Sequence, residues 1–314
     1  MLSMRFVFRA LGLVLVAAAL AFVGLQIAAY TQDLGNAAGE WRTWRTVGLG
    51  AAIYGMLSIL LAAAWQWIVG RADPGARVTF SHAFEVYGRS QIAKYVPGNV
   101  FHFLGRQLLG RDVGWSQGAI AVASVVETLC LGSAAAALLF LLGFVGHEAL
   151  LRHTPPWVLG LGAAAAIAGP SLLLRYGRHL PVVRDLGFII HADRLGRGLA
   201  LLPPFAIHAA FFMATSVVFW FLVSGAFGFV SPGLIPGIAA AFVSGWLLGN
   251  VTPSAPGGIG VREAVMLPQL AVLIGDSRAV VVVVMFRLVT IGGDLLFLAV
   301  ASWLNYRRRA DQAA

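Results

Sequence analysis

The sequence predicts an all-α integral membrane protein of about six transmembrane helices and two opposed re-entrant hairpins, arranged as an inverted repeat. The first observation is composition: of 314 residues, 59% are hydrophobic and 11% are charged, and the mean hydropathy is +0.84. A soluble domain is usually about one-quarter charged, so this composition excludes a soluble enzyme, a disordered chain and a disulfide scaffold. The second and third observations are the apolar runs and a repeated spacing between them.

Six apolar runs approach or exceed the length of roughly 20 residues that a transmembrane helix needs. Two of them, Trp157–Leu174 and Pro204–Val223, are interrupted by Gly or Pro. The first run in the chain, Phe6–Tyr30, resembles a signal peptide. It is longer than the usual apolar stretch of a signal peptide, about 7–15 residues, so we expect it to be retained in the protein. The four uninterrupted runs are Phe6–Tyr30, Thr46–Val69, Gln117–Val145 and Ala279–Trp303.

Two further regions, residues 78–111 and 234–275, fit neither a span nor a loop. Each is broken near its middle by a Pro-Gly tip, which consists of Pro97 and Gly98 in the first region and of Pro256–Gly258 in the second. We expect two short helices to meet at each tip in a re-entrant hairpin. Non-helical backbone at membrane depth is tolerated where it is buried in protein or lines a wet cavity. An eight-span arrangement, in which residues 234–275 cross twice, gives the same loop assignment.

The formal net charge of +9 is interpreted as an orientation signal, since most basic residues lie between the apolar runs. With the N-terminus inside, twelve basic residues fall in cytoplasmic loops and four in outer loops, which satisfies the positive-inside rule. We therefore expect a multi-pass protein of a bacterial or archaeal cytoplasmic (inner) membrane, with both termini in the cytoplasm. The same charge in a soluble protein would suggest nucleic acid, but no nucleic-acid partner is expected here.

A spacing of about 159 residues relates the two halves of the chain, since Pro97-Gly98 maps onto Pro256-Gly257 and the flanking spans map onto one another. Each unit contains three spans and one hairpin. Because three crossings are an odd number, the second unit must be inverted and its hairpin must enter from the opposite face. We therefore predict two halves, 1–155 and 156–314. Interrupted segments at matching positions of inverted halves are the best sequence pointer to a transporter's binding site.

Charged residues within the apolar regions are candidate functional residues. A charge at the centre of the bilayer costs about 2.5–3.5 kcal/mol even on insertion scales. Glu127 lies within the third span, and Arg287 and Asp294 share one face of the last span because they are seven residues apart. A structural interpretation pairs Arg287 with Asp294, or either of them with Glu127. A functional interpretation places these residues, with Glu263, in a charge network around a polar cavity.

The two tips predict an anion site. A helix begins after each tip, at Asn99 and at Gly258, so that free N–H groups and the positive end of the helix dipole face the centre of the protein. The simpler interpretation is that the tips are tight turns, and a lone histidine such as His102 is more often a packing residue than a ligand. The residues expected to bind a lipid phosphate are Lys94, Asn99, His102, Arg106 and Arg262.

Motifs for other chemistries are missing from the sequence. It contains no Walker A motif, no dinucleotide-binding glycine loop, no nucleophile elbow and no acidic or histidine cluster with metal-ligand spacing. We therefore expect no catalytic residue, no metal and no cofactor.

Two segments resemble a known family. Gln91–Asn99, followed by His102 and Arg106, and the segment Pro256–Glu263 are together similar to the transmembrane region of the lysylphosphatidylglycerol synthase/flippase family. The resemblance implies movement of a lipid between leaflets. Because the sequence ends at Ala314, shortly after the last span, we expect a stand-alone member without the soluble aminoacyl-transferase domain.

The leading expectation is a flippase-like transporter that moves a phosphate-bearing anionic lipid or a polyprenyl-phosphate-linked lipid between leaflets. Its partner would be an anionic membrane lipid or a lipid-linked sugar. One alternative is an integral-membrane transferase or hydrolase acting on a lipid phosphate, with His102 and Glu127 as acid–base residues. Another is a non-catalytic membrane subunit of a partner glycosyltransferase or lipid synthase.

Overall fold

The structure, a computed structural model, describes residues 17–18, 20–96, 100–146, 160, 164, 168, 200–228, 230–252 and 255–313. These residues form α-helices and short 3-10 turns, with no strand among them, which confirms the prediction of an all-α integral membrane protein. The first five helices are α1 (Leu20–Ala29), α2 (Thr31–Gly39), α3 (Trp41–Ala72), α4 (Phe80–Gln91) and α5 (Phe101–Asp112). They are followed by α6 (Gln117–Gly146), α7 (Leu202–Phe227), α8 (Ile235–Val251), α9 (Val261–Ile274) and α10 (Asp276–Ala313).

Six helical segments among the described residues are long and apolar enough to cross a membrane, so the chain is a multi-pass membrane protein. Four of them, in α3, α6, α7 and α10, correspond to predicted spans. The other two are the arms of the second predicted hairpin, which the sequence analysis did not count among its six spans. The predicted spans Phe6–Tyr30 and Trp157–Leu174 lie partly or almost wholly outside the described residues. The six segments are Trp41–Ala72, Gln117–Leu142, Leu202–Phe227, Pro232–Val251, Pro256–Ile274 and Asp276–Asp311.

The first hairpin consists of α4 and α5, and its predicted tip residues Pro97, Gly98 and Asn99 lie outside the described residues. The first arm continues from α4 into a 3-10 turn, Ile92–Tyr95, and is about 26 Å long at 1.5 and 2.0 Å per residue. The second arm has 12 residues, or about 18 Å, whereas the hydrocarbon core is about 30 Å thick. Neither arm is therefore long enough to cross the core.

The base of the first hairpin lies at the C-terminal end of α10. Glu85 near the start of α4 pairs with Arg308 at 2.7 Å, and Asp112 at the end of α5 lines the same cavity. The tip side of the hairpin contacts α10 at Asp294, which is fourteen residues before Arg308, or about 21 Å along the helix. The hairpin therefore starts and finishes at one end of α10 and reaches its middle.

The second hairpin consists of α8 and α9, and its base lies at the opposite end of α10. Gly237 in α8 is packed against Leu273 in α9, and α10 begins directly afterwards at Asp276. Its tip reaches Arg287, eleven residues into α10, where an Nη atom of the arginine lies 3.4 Å from the carbonyl oxygen of Gly257. The two hairpins therefore approach the middle of α10 from opposite ends.

The tip of the second hairpin meets the first hairpin at Gly257. This residue has φ +56°, and a Cβ there would lie 2.9 Å from the ring of Tyr95. A side chain at this position would therefore be strained by the backbone and would collide with the first hairpin. A second close approach occurs between α3 and α10, where a Cβ on Gly55 would lie 3.0 Å from the carbonyl oxygen of Gly293. Small residues at such crossings let membrane helices pack closely.

The packing is reciprocal between the two halves. Helices α3, α5 and α6 begin 159 to 161 residues before α7, α9 and α10, respectively. Helices α3 and α4 of the first half pack on α10 of the second half. Their equivalents α7 and α8 in the second half pack on α6 of the first half. This exchange of partners is expected of two halves related by a two-fold axis. The halves 1–155 and 156–314 and their inversion stay a prediction, because most of the connection between them lies outside the described residues.

Candidate functional site

A polar cavity of about 150 Å³ lies where the two hairpins meet the spans. Its walls come from both hairpins and from α3, α6 and α7. The tertiary structure thus brings together residues that are up to 208 positions apart in the sequence, from Tyr54 to Arg262. Six residues of the predicted site line it: Lys94, His102, Arg106, Glu127, Gly257 and Arg262.

One buried ion pair joins the first hairpin to α6. Arg106 pairs with Glu127, and each side chain is only 2% exposed. The hydroxyl of Tyr87 donates to the second carboxylate oxygen of Glu127 at 2.7 Å, and the guanidinium of Arg106 lies 4.1 Å from the centre of the Tyr87 ring. Buried charges are tolerated when they are paired and hydrogen-bonded in this way. The pair therefore holds α5 against α6.

A second ion pair joins the first hairpin to α10. The ammonium of Lys94 lies 2.7 Å from Oδ2 of Asp294, and the hydroxyl of Tyr95 donates to the same oxygen at 2.6 Å. The structural interpretation that paired Arg287 with Asp294 was therefore wrong. Seven residues along a helix are about 10 Å apart, too far for direct contact. Each of the two residues instead pairs with a residue of a hairpin.

A third ion pair, between Arg287 and Glu263, joins the second hairpin to α10. The other carboxylate oxygen of Glu263 accepts a hydrogen bond of 2.7 Å from the backbone N–H of Gly260. Helix α9 begins at Val261, three residues after the predicted start at Gly258. A lipid phosphate was expected at this helix N-terminus. The carboxylate of Glu263 occupies that position instead, so the protein itself supplies the anion there.

The first and third pairs are related by the repeated spacing. Glu127 in α6 and Arg287 in α10 are 160 residues apart, which matches the offset between the two helices. Each pairs with the second helix of the hairpin in its own half. In the first half the hairpin supplies the cation, and in the second half it supplies the carboxylate. The two ion pairs are therefore equivalent in position but reversed in charge.

Arg262 is the cation of the cavity without a carboxylate partner among the described residues. The other three cations of the site are each paired with one of its three carboxylates, so one positive charge remains in excess. The guanidinium of Arg262 lies 5.8 Å from the centre of the Trp246 ring, and its buried Nε has no hydrogen-bond partner in the described structure. Since a buried donor without an acceptor is costly, this arrangement is suited to an incoming anion.

His102 lines the same cavity, and its Nδ1 is buried without a described partner. Sequence reasoning missed several further lining residues. Gln91 belongs to the motif that also contains Lys94, and it accepts a hydrogen bond from Arg106 at 3.4 Å. Trp246 and Asn250 both line the cavity from α8 and are four residues apart, so their shared helix face was a signal that could have been used.

Residues 9–297 of the chain match the family model described as the lysylphosphatidylglycerol synthase TM region. The match covers most of the 314 residues and includes every residue that lines the cavity. No curated protein and no solved structure matches the chain.

Proposed function

We propose a function from one premise: the chain belongs to the family of the lysylphosphatidylglycerol synthase transmembrane region. The chain moves a phosphate-bearing anionic lipid, or a polyprenyl-phosphate-linked lipid, between the leaflets of its membrane. The phosphate binds in the cavity between the two tips, and the hydrocarbon part stays in the apolar environment.

The unpaired Arg262 is the observation that carries this proposal. A phosphodiester has one negative charge, and the site has one positive charge in excess. Hydrogen bonds from a guanidinium to a phosphate are charge-assisted and roughly twice as strong as neutral ones. Binding of a phosphodiester would therefore neutralise the site and provide an acceptor for the unpaired donor.

The ion pairs supply a mechanism for opening. A cavity of about 150 Å³ has room for a phosphate group, whereas drug-sized ligands occupy pockets of about 300–1,000 Å³. A complete headgroup therefore requires the hairpin arms to separate. When the phosphate replaces Glu127 as the partner of Arg106, or Asp294 as the partner of Lys94, each cation exchanges one anionic partner for another. The exchange leaves no buried cation unpaired, and the displaced carboxylate still accepts the hydrogen bond from Tyr87 or Tyr95. This remaining bond lowers the cost of breaking the ion pair that holds the arm.

The hairpins are re-entrant from opposite sides of the membrane in this proposal. The geometry that supports it is the position of the two bases at opposite ends of α10, with Lys94 of the first hairpin and Gly257 of the second near its middle. Single cysteines at Arg111 and Gly233, which are exposed at the two bases, test it in a Cys130→Ser background. An impermeant thiol reagent should label them from opposite sides, and labelling of both from one side would refute the opposed arrangement.

Reconstitution into liposomes tests the transport itself. Vesicles containing fluorescent phosphatidylglycerol, lysyl-phosphatidylglycerol or a labelled polyprenyl phosphate are compared with protein-free vesicles. We expect at least one of these lipids to exchange leaflets faster with the protein, and the proposal fails if none does. Chemical conversion of the lipid in detergent micelles, where no leaflets exist, would instead favour a transferase or hydrolase.

A further inference from the structure

An apolar groove of about 440 Å³ runs between α5 and α6. It is lined mainly by hydrophobic side chains of the two helices, including Val125 and Leu129. Phe103 and Thr128 line both this groove and the polar cavity, so the two spaces adjoin each other. The polar cavity therefore has an apolar space directly beside it.

We propose that this groove holds the hydrocarbon chain of the same lipid whose phosphate binds in the cavity, and that Phe103 and Thr128 form the portal between them. This inference rests on the proposed function and specifies its route. One lipid molecule would occupy both spaces, with its linkage between phosphate and chain at the portal. The occupant is thus a lipid with at least one long chain, and not a free phosphate ester.

Two of the three polar residues that line the groove, Ser124 and Thr128, suit a hydrocarbon chain because their hydroxyl groups are already satisfied. The third, Gln107, has a buried side-chain oxygen without a partner in the described structure. The hydroxyl of Ser124 donates to the carbonyl oxygen of Ile120 at 2.9 Å, and that of Thr128 donates to the carbonyl oxygen of Ser124 at 2.9 Å. Neither hydroxyl hydrogen is directed to a groove occupant while these bonds persist. An apolar chain therefore displaces no unsatisfied donor at these two positions.

The corresponding interface in the second half, between α9 and α10, has a much smaller cavity. The cavity between α9 and α10, beside Arg262 and Glu263, has a volume of about 10 Å³. Helix α9 buries Glu263, Met266, Leu267 and Leu270, whereas α5 buries only Arg106 and Gly110. Of these two interfaces, the one between α5 and α6 has room for a chain. Because α5 buries fewer apolar side chains than α9, it also loses less apolar contact when it moves.

Two matched variants of α6 test the groove. Val125 is 46% exposed and lines the groove, whereas Leu141 is 51% exposed on the same helix and lies outside it. We expect Val125→Trp to fill the groove and slow the leaflet exchange of fluorescent phosphatidylglycerol in liposomes at least tenfold. Leu141→Trp, which introduces the same side chain outside the groove, should leave the rate unchanged. Binding of glycerophosphoglycerol, which has the phosphodiester but no chains, should be the same in both variants and the wild type.

Several outcomes would overturn the inference. If Val125→Trp transports at the wild-type rate, the groove holds no chain that matters for transport, although the proposed function stands. If Val125→Trp also loses glycerophosphoglycerol binding, its effect comes from the cavity and the groove assignment is wrong. If the wild type moves no lipid, the proposed function itself fails.

A measurement on the wild-type protein covers the case in which Val125→Trp does not fold. Phosphatidylglycerol with a photoactivatable diazirine in one chain should crosslink to peptides containing Phe103 or Leu129, and excess unlabelled lipid should compete. Crosslinks spread evenly over the lipid-facing surface, for example equally at Val272, which is 87% exposed, would overturn the assignment.

Discussion

Replacement of Arg262 by glutamine should weaken phosphate binding without destabilising the fold. The substitution keeps hydrogen-bonding capacity but removes the excess positive charge. A hydrogen bond to a charged group contributes about 1.5–3 kcal/mol, and 1.4 kcal/mol corresponds to a tenfold change in affinity. We therefore expect glycerophosphoglycerol to bind about 10- to 150-fold more weakly to Arg262→Gln, measured by titration calorimetry in detergent.

The expectation for stability differs from that for most buried residues. Because Arg262 has no carboxylate partner in the described structure, its removal leaves no opposite charge unpaired. The Tm of Arg262→Gln, followed by tryptophan fluorescence, should be equal to or above that of the wild type. Arg278→Gln is the matched control, since it removes the same charge from an exposed position outside the cavity and should not affect binding.

Two results would refute this reasoning. Unchanged binding of glycerophosphoglycerol by Arg262→Gln would show that the excess charge does not attract the phosphate. A large loss of Tm, with binding retained by the folded fraction, would show that Arg262 stabilises the fold instead.

Two further predictions concern the attachment of the hairpins. Glu127→Gln should lower the free energy of unfolding by about 3–5 kcal/mol, because it leaves Arg106 buried without a charged partner. The same change at the exposed Glu40 should have little effect on unfolding in detergent. Equal effects of the two substitutions would contradict the prediction. Gly257→Ala and Gly114→Ala both force an alanine into a positive φ, at a cost of roughly 1–2 kcal/mol. Only Gly257→Ala also collides with Tyr95 of the first hairpin, so its Tm and transport rate should fall further. Equal losses would show that this contact between the hairpins is unimportant.

The sequence predicts which residues form the site better than it predicts their partners. Lys94, Arg106 and Arg262 were identified because charge is costly within apolar segments, and that cost does not depend on the details of the fold. Partner choice depends on tertiary packing. Asp294 shares a helix with Arg287, but its partner in the structure is Lys94, 200 residues away in the sequence. No pattern of spacing along one helix contains that information.

The limits of the second hairpin were also harder to predict than its existence. The Pro-Gly break at Pro256 was visible in the sequence, and helices lie on both sides of it as expected. The start of α9 is displaced to Val261 because Glu263 caps the N–H of Gly260. A single-residue cap is a weak local signal beside an interrupted apolar run, so helix existence was predictable and the boundary was not.

The attachment of both hairpins to α10 has a mechanical consequence. Asp294 holds the tip of one hairpin and Arg287 holds the tip of the other, and the hairpins approach from opposite ends of the helix. Axial sliding of α10 by one turn, about 5.4 Å, would carry it toward the base of one hairpin and away from the base of the other. In the proposed transport, one helix would then open one hairpin as it closes the other, so that neither ions nor water gain a continuous path. Spin-label distances from α10 to each base should change in opposite directions during transport, and parallel changes would exclude this coupling.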